Sequence, residues 1–220
     1  MRSSSLTVHE AMEGVVDRAG PLPRPPPAAR PAAEQFTDVV EVPAENLLGK
    51  EDGGFYLIMA NFQWERLLMA LGAVGAMKRM LEVAVSYASE REAFGRPIGK
   101  FQAIRHKIAE LAVKGEVGRA LTYSALREFI GPELERREAI ARGDLTHPSV
   151  TAGTREVTMA KLYTQRACVE VADEVLQILG GYGYMREYGV ERALRDARLG
   201  PIGGGTDEIM REILGRQLGL

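Results

Sequence analysis

The longest regular pattern in the chain is a helical repeat that begins near Gly54. Six residues recur at alternating spacings of four and three: Ile58, Phe62, Glu65, Met69, Gly72 and Ala76. This spacing is typical of one face of an amphipathic helix. We predict a long helix from Gly54 to about Ser89 with these six residues, the 58–76 stripe, as its buried face.

The same period returns along the rest of the chain. A second helix is predicted from near Phe101 to about Ile130, and a third along the stripe Val157, Ala160, Thr164, Ala167, Val171, Val175 and Ile178. The charged stretch between Pro132 and Pro148 predicts a solvated connection with room for a helical turn. Two shorter helices follow, over about Glu187–Asp196 and Thr206–Leu218, with Thr206 as N-cap of the second. The pattern predicts an all-α bundle of three long and two short helices.

The residues before Gly54 have no helical period. Residues 1–35 are rich in proline and alanine, which predicts an extended or disordered segment. Residues 36–53 read as one short strand with alternating Val39 and Val42, followed by a turn. We therefore expect three parts: a disordered segment 1–35, a strand and linker 36–53, and a helical domain 54–220.

Composition narrows the classes of function. The 220 residues include 28 basic and 30 acidic side chains, so the formal charge of −2 does not favour nucleic acid or an anionic membrane as partner. The single cysteine, Cys168, cannot form an internal disulfide, which fits a reducing, cytoplasmic setting. We find no apolar run long enough to span a membrane. His106 has no cysteine or second histidine at metal-ligand spacing, so no metal site is predicted.

Glu65 is unusual because it lies within the 58–76 stripe. No residue one turn away carries a positive charge, and Arg66 points about 100° round the helix. Two interpretations stay open on the pattern alone. Glu65 pairs with an arginine of another helix, which is the commoner case, or it is a general base held in a cleft.

Three further segments could carry chemistry, although each has an ordinary explanation. REAFGRPIGKFQ places Arg91 and Gln102 around a tight turn, where an arginine either meets a phosphate or solvates a corner. QILGGYGY offers glycines to a ligand or to a helix C-cap. In PIGGGTDEIM, three glycines precede a helix; they could cradle a phosphate, form a plain turn or mark the loss of a working side chain.

Together these segments resemble one family. ENLLGKEDGGF, SEREAFGRPIGKFQAIRHKIAEL, QILGGYGYMREYGVERALRDARLGPI and GTDEIMREILGRQL are similar in order and spacing to the C-terminal half of the acyl-CoA dehydrogenases, from about Phe36 to the end. The resemblance implies a helical bundle that binds FAD together with a central β domain, usually in a homotetramer. It also implies α,β-desaturation of an acyl-CoA thioester, with electrons passed to an electron-transferring flavoprotein.

The resemblance assigns roles residue by residue. The residues that match cofactor-binding positions are Arg91, Gln102, Gln177, Ile178, Leu179, Gly180, Gly181, Thr206, Asp207 and Glu208, of which Arg91 and Gln102 match positions that reach the cofactor of a neighbouring subunit. Those that match positions near the bound thioester are Arg66, Gly204 and Gly205.

The glycine stretch departs from the commonest family pattern. Many members have Tyr-Glu-Gly-Thr there, with the glutamate as catalytic base, whereas this chain has glycine at position 204. The isovaleryl-CoA and long-chain branches instead combine a small residue at this position with a glutamate directly before an arginine on the long helix. The matching pair here is Glu65 and Arg66, so the resemblance assigns the base to Glu65 and implies that Gly204 leaves room for the acyl chain or the carboxylate.

Family members also have an N-terminal helical domain and a β domain before the matching part. Residues 1–35 resemble neither, so we expect a truncated form that does not complete a cofactor site by itself. The rival interpretation is a non-catalytic helical subunit, or a degenerate fragment, that associates with a complete partner in a hetero-oligomer.

Overall fold

The computed structural model describes residues 15–17, 35–37, 43–47, 54–144 and 147–220. The chain divides into two compact units, Met1–Gly54 and Phe55–Leu220. In the first, β1 (Val15–Asp17) pairs antiparallel with β2 (Gln35–Thr37), and a 3-10 turn covers Ala44–Asn46. β1 lies where the sequence predicts no regular structure, because a three-residue strand is too short to show a period. Val39 and Val42 of the predicted strand lie outside the described residues.

The second unit is helical, which confirms the predicted class. Its helices are α1 (Gly54–Glu90), α2 (Gln102–Ile130), α3 (Glu133–Ala141), α4 (Pro148–Thr151), α5 (Thr154–Leu179), α6 (Gly181–Tyr184), α7 (Val190–Arg198) and α8 (Asp207–Gln217). A small hairpin of β3 (Glu92–Ala93) and β4 (Arg96–Pro97) and a 3-10 turn (Ile98–Lys100) connect α1 to α2. The three long helices lie where the period predicts them. The two short ones are α7, which begins three residues later than predicted after a 3-10 turn (Arg186–Tyr188), and α8.

The connection after α2 is more ordered than the sequence predicts. It contains α3 and α4, and Arg136 of α3 is buried with its guanidinium 4.0 Å above the ring of Phe129. The same side chain donates a hydrogen bond from Nε to the carbonyl of Ser149 and another from Nη1 to Glu133. The sequence does not predict this packing, because the residue that makes the buried contact is an arginine and arginines in a charge-rich stretch are usually exposed.

The core lies between α1, α2 and α5. One cluster of buried side chains includes Met77, Leu111, Val171 and Val175, and a second, nearer the start of α1, includes Leu67, Phe129 and Val157. α5 lies at the centre, since it packs against α2, α7 and α8. A Cβ on Gly118 of α2 would lie only 3.0 Å from Cε of Met77, so the helices approach closely there.

The buried face of α1 is shifted by one position along the sequence from the predicted face. Its buried positions include Gln63, Arg66, Ala70, Ala73 and Met77, each one residue after a member of the 58–76 stripe. Because successive residues are 100° apart on a helix, the core lies about 100° round α1 from the stripe. The prediction that the stripe faces the core of this domain is therefore wrong, and Ile58, Gly72 and Ala76 are exposed. The true face was hidden because it is built of small residues and an arginine.

Adjacent leucines test this assignment. Leu67 is fully buried and Leu68 is 47% exposed. We expect Leu67→Ala to lower the free energy of unfolding by about 2–5 kcal/mol, because it removes buried apolar volume, and Leu68→Ala to change it by about 0.5 kcal/mol. Urea unfolding of the two variants measures both values. A larger effect for Leu68→Ala would place the core on the other face.

Candidate functional site

The three glycines form a turn between α7 and α8 that packs against α1. Gly204 and Gly205 have φ of +64° and +99°, a region that residues with a side chain rarely adopt. A Cβ on Gly204 would lie 2.7 Å from Sδ of Met69, and one on Gly205 would lie 2.9 Å from Cε of Met210. The positive φ angles therefore favour glycine at both positions, and a side chain at either one would also have to displace a methionine.

Two buried cations hold this turn by its carbonyl groups. Arg66 of α1 is 5% exposed and donates a hydrogen bond from Nε to the Gly204 carbonyl, at 2.8 Å. Lys161 of α5 is fully buried and donates one from Nζ to the Gly205 carbonyl, at 2.6 Å. Burial lowers the pKa of both groups, opposed by Glu65 at the guanidinium and chiefly by Asp207 at the ammonium. The turn thus has both carbonyls directed towards charges inside the protein.

The start of α8 supplies the balancing negative charge. Asp207 is 1% exposed; its Oδ2 accepts a hydrogen bond from Nε of Arg166, and its Oδ1 lies 4.0 Å from Nζ of Lys161. Thr206 caps the helix, as predicted, because its hydroxyl accepts a hydrogen bond from the backbone N–H of Ile209. Glu208 is exposed. The Asp207 carboxylate is thus buried among protein charges, and its backbone N–H donates a hydrogen bond to the Pro201 carbonyl at 3.0 Å.

Glu65 lies beside the glycine turn rather than in the core. It is half-buried, one helical turn before Met69, whose Sδ marks the place where Gly204 packs on α1. Nδ2 of Asn61 donates a hydrogen bond to Oε1 of Glu65 at 2.7 Å. The expectation of a buried carboxylate that lacks a partner one turn away is therefore wrong. The 58–76 stripe lies outside the core, and a neutral amide can also donate a hydrogen bond to a carboxylate.

A second group of predicted residues lines a cavity of about 520 Å³ at the far ends of α1 and α5. Its lining consists of Tyr87, Arg91, Ile98, Ile178, Leu179, Gly180, Gly181, Tyr182 and Met185. Five of these were predicted as cofactor contacts. Gln102 and Gln177, also predicted, do not line the cavity and are exposed.

The chemistry of the cavity suits a flat aromatic group that carries negative charge. The rings of Tyr87, Tyr182 and Tyr188 lie with centroids 5.4–6.4 Å apart, and the Arg91 guanidinium lies 5.5 Å from the Tyr182 centroid. Burial raises the pKa of Tyr87, so its hydroxyl stays protonated and donates to the Leu179 carbonyl. A Cβ on Gly180 would meet no atom within 4 Å, so the backbone there is open to a ligand.

Sequence reasoning missed Lys161, Met69 and the tyrosines. Lys161 could have been found, because it lies four residues after Val157 and three before Thr164, at the edge of the predicted buried stripe of α5. A charged residue within an apolar helical stripe is unusual, which is the argument that drew attention to Glu65. At Lys161 the same argument points to a side chain that is fully buried. The tyrosines carry no comparable signal, since they come from three separate elements.

The described residues contain no group of three or more histidine, cysteine, aspartate or glutamate side chains placed to hold a metal ion. Within the same residues, no helix is both long and apolar enough to cross a membrane.

Comparison with known proteins gives a consistent result. Residues 52–219 match the family model of the acyl-CoA dehydrogenase C-terminal domain. An acyl-CoA dehydrogenase of Bacillus subtilis is 41% identical over 185 residues, which are 84% of this chain and 44% of that protein. Isovaleryl-CoA dehydrogenase of Oryza sativa is 40% identical over 177 residues, 80% of this chain and 39% of that one. The structure of butyryl-CoA dehydrogenase from Megasphaera elsdenii superposes with a TM-score of 0.72 at 33% identity, over 86% of this chain and 44% of that one. The chain thus spans less than half the length of these relatives.

The packing of the glycine turn can be tested by stability. We expect Gly204→Ala to lower the free energy of unfolding by about 1–3 kcal/mol, because φ is positive and the new Cβ would contact Met69. Adding Met69→Ala should recover the steric part of this loss. The control is Gly215→Ala in α8, which meets no atom within 4 Å and should raise stability by about 0.5–1 kcal/mol. Equal effects at the two glycines in urea unfolding would contradict the described turn.

Proposed function

Because the chain belongs to the acyl-CoA dehydrogenase family, we propose that it is the helical part of a catalyst for FAD-dependent α,β-desaturation of an acyl-CoA thioester. The observation that carries the proposal is that the glycine turn packs on Met69, one helical turn after the half-buried Glu65, on the side of α1 outside the core. The 58–76 stripe on this side is apolar apart from Glu65, whose carboxylate binds the Asn61 amide. Such a surface suits an acyl chain that must lose a proton.

Glu65 is the proposed base for the α-proton. Asn61 holds one carboxylate oxygen, and the other, Oε2, accepts no hydrogen bond within the part of the chain that the structure describes. That oxygen is free to take a proton. A positioned general base contributes about 10²–10⁴-fold to the rate of such a step.

The neighbouring residues would shape the thioester site. Gly204 has no side chain, so its backbone packs directly on Met69, where a Cβ would lie 2.7 Å from Sδ. Room for an acyl chain beside Gly204 stays a prediction. The guanidinium of Arg66 is occupied by the carbonyl of Gly204, so Arg66 would act on the thioester through the turn that it holds. Gly205 supplies backbone alone.

The residues present also fit the cofactor. In the cavity, Arg91 offers a cation for a pyrophosphate, Tyr182 a flat face for an adenine, and Gly180 and Gly181 an open backbone. Thr206 and Glu208 would bind at the flavin end, where a helix N-terminus favours an electronegative group. When bound, FAD would accept the hydride that leaves the β-carbon.

We propose that Arg91 and the exposed Gln102 reach the FAD of a neighbouring subunit, as expected for a homotetramer or for an assembly with a complete subunit, and that Gln177 contacts its adenine side. Electrons would then pass to an electron-transferring flavoprotein. The predicted cytoplasmic location stays a prediction.

The second candidate is a non-catalytic helical subunit. A third possibility is a flavoprotein that has the same fold and oxidises another class of substrate. An assay across acyl-CoA chain lengths distinguishes it from an acyl-CoA dehydrogenase.

Titration with FAD distinguishes the enzyme from the subunit. We expect the purified chain, alone or with a co-expressed partner, to bind FAD and turn yellow, and Arg91→Met to weaken binding about 10- to 100-fold by removing one charge-assisted contact. The control is Arg96→Met, because Arg96 lies in the same hairpin but stacks on Phe101 outside the cavity. Protein that stays colourless under both conditions would favour the non-catalytic subunit.

The base is tested in a hybrid in which residues 54–220 replace the matching domain of a complete acyl-CoA dehydrogenase. We expect Glu65→Gln to reduce substrate-dependent flavin bleaching by about 10²–10⁴-fold, because the amide cannot accept the proton. Glu82→Gln serves as control, since Glu82 is exposed on the same helix and pairs with Arg79. Substantial bleaching by the Glu65 variant would refute the assignment.

A further inference from the structure

We infer that Lys161 is a positioning residue, which fixes the peptide groups of the glycine turn in the orientation that the proposed site uses. The inference rests on the proposed function for its role in catalysis. The role of Lys161 in the turn is inferred from the contacts of Lys161 alone.

The contacts of Lys161 point to the turn and not to a simple ion pair. A buried ammonium is unfavourable unless polar groups surround it. Its short contact is the carbonyl of Gly205, at 2.6 Å, whereas the nearest carboxylate oxygen, Oδ1 of Asp207, is 4.0 Å away. That oxygen accepts no hydrogen bond among the described residues, and the other oxygen of Asp207 is taken by Arg166. Lys161 is therefore committed to the backbone of the turn.

This contact determines what the outer side of the turn presents. In a trans peptide the carbonyl and the following N–H point in opposite directions, and the described residues contain no cis peptide. Because the carbonyls of Gly204 and Gly205 point at Arg66 and Lys161, the N–H groups of Gly205 and Thr206 point away from them. Neither N–H donates a hydrogen bond within the part of the chain that the structure describes. By binding the two carbonyls, Arg66 and Lys161 thus leave two free backbone N–H donors on the opposite side of the turn, where the proposed ligand would bind.

Lys161 is needed because glycine peptides have many alternative conformations. Arg66 holds only the first of the two carbonyls. Without Lys161, the peptide between Gly205 and Thr206 could rotate and withdraw its donor. Removal of the lysine should therefore loosen the turn while the helices on either side stay folded.

Amide hydrogen exchange by NMR on the 220-residue chain tests this directly. Two bonded amides close the turn: Gly203 N–H to the Leu199 carbonyl at 2.8 Å, and Asp207 N–H to the Pro201 carbonyl at 3.0 Å. In Lys161→Met we expect the Asp207 amide to exchange about tenfold faster or more, as the loss of one charge-assisted hydrogen bond implies. The amide of Val175, deep in α5, should keep its rate.

Two variants separate positioning from general stability. Lys161→Arg retains a buried donor and should restore most of the protection at Asp207. Lys114→Met removes an exposed lysine that pairs with Glu170 of α5, and should leave the turn unchanged. Unchanged exchange at Asp207 in Lys161→Met, or equal acceleration at Asp207 and Val175, would overturn the inference. If Lys161→Met does not fold, Lys161→Gln replaces it with the same criteria.

FAD titration of the same variants keeps the two proposals apart. Weaker FAD binding by Lys161→Met with normal binding by Lys114→Met links the turn to the cofactor. Failure of the unsubstituted chain to bind FAD both alone and with a co-expressed partner contradicts the proposed function, while the exchange data still decide the role of Lys161.

Discussion

Three buried charges hold together the region on which the candidate site depends. Arg66 comes from α1, Lys161 from α5 and Asp207 from the start of α8. Because a charge inside a protein requires polar contacts, each of these side chains is tied to a particular neighbour. The cations use backbone carbonyls of the glycine turn, and Asp207 uses Arg166. The turn, the first residue of α8 and the placement of α1 against α5 are therefore mutually dependent, and a change in one displaces the others.

This arrangement explains why α1 has two different faces. The face that packs in the core includes small residues such as Ala70 and Ala73, and Ala70 belongs to the same buried cluster as Val157 and Ala160 of α5. The 58–76 stripe lies about 100° away and carries larger apolar side chains around Glu65. It is partly exposed, although its composition is apolar, and Gly204 packs on it through Met69. An apolar surface with a single carboxylate beside a glycine turn is suited to chemistry on an apolar ligand.

The candidate site was predictable to the extent that it depends on local chemistry. Arg91, Gly180 and Gly181 lie at helix ends, where a tight turn and a run of glycines are visible in the sequence, and the structure brings them into one cavity. Its tyrosines, Tyr87 and Tyr182, were not predictable, because their rings meet only after α1 and α5 have packed. Lys161 was overlooked for another reason. A lysine at the edge of an apolar stripe is usually solvated, and only its contact with Gly205 shows that it is buried.

The sequence by itself determined the three long helices, α1, α2 and α5, and the start of α8. A period of 3.6 residues, an N-cap at Thr206 and glycines at Gly180 are local properties, and local geometry is sufficient to produce them. Only the tertiary structure decided which side of α1 is buried. Periodicity gives the angles between side chains on a helix but not the direction of its partners, and α1 has two apolar sides about 100° apart. The packing of α5 against the alanine side placed Arg66 inside, left Glu65 at the surface of this domain, and brought the glycine turn against Met69.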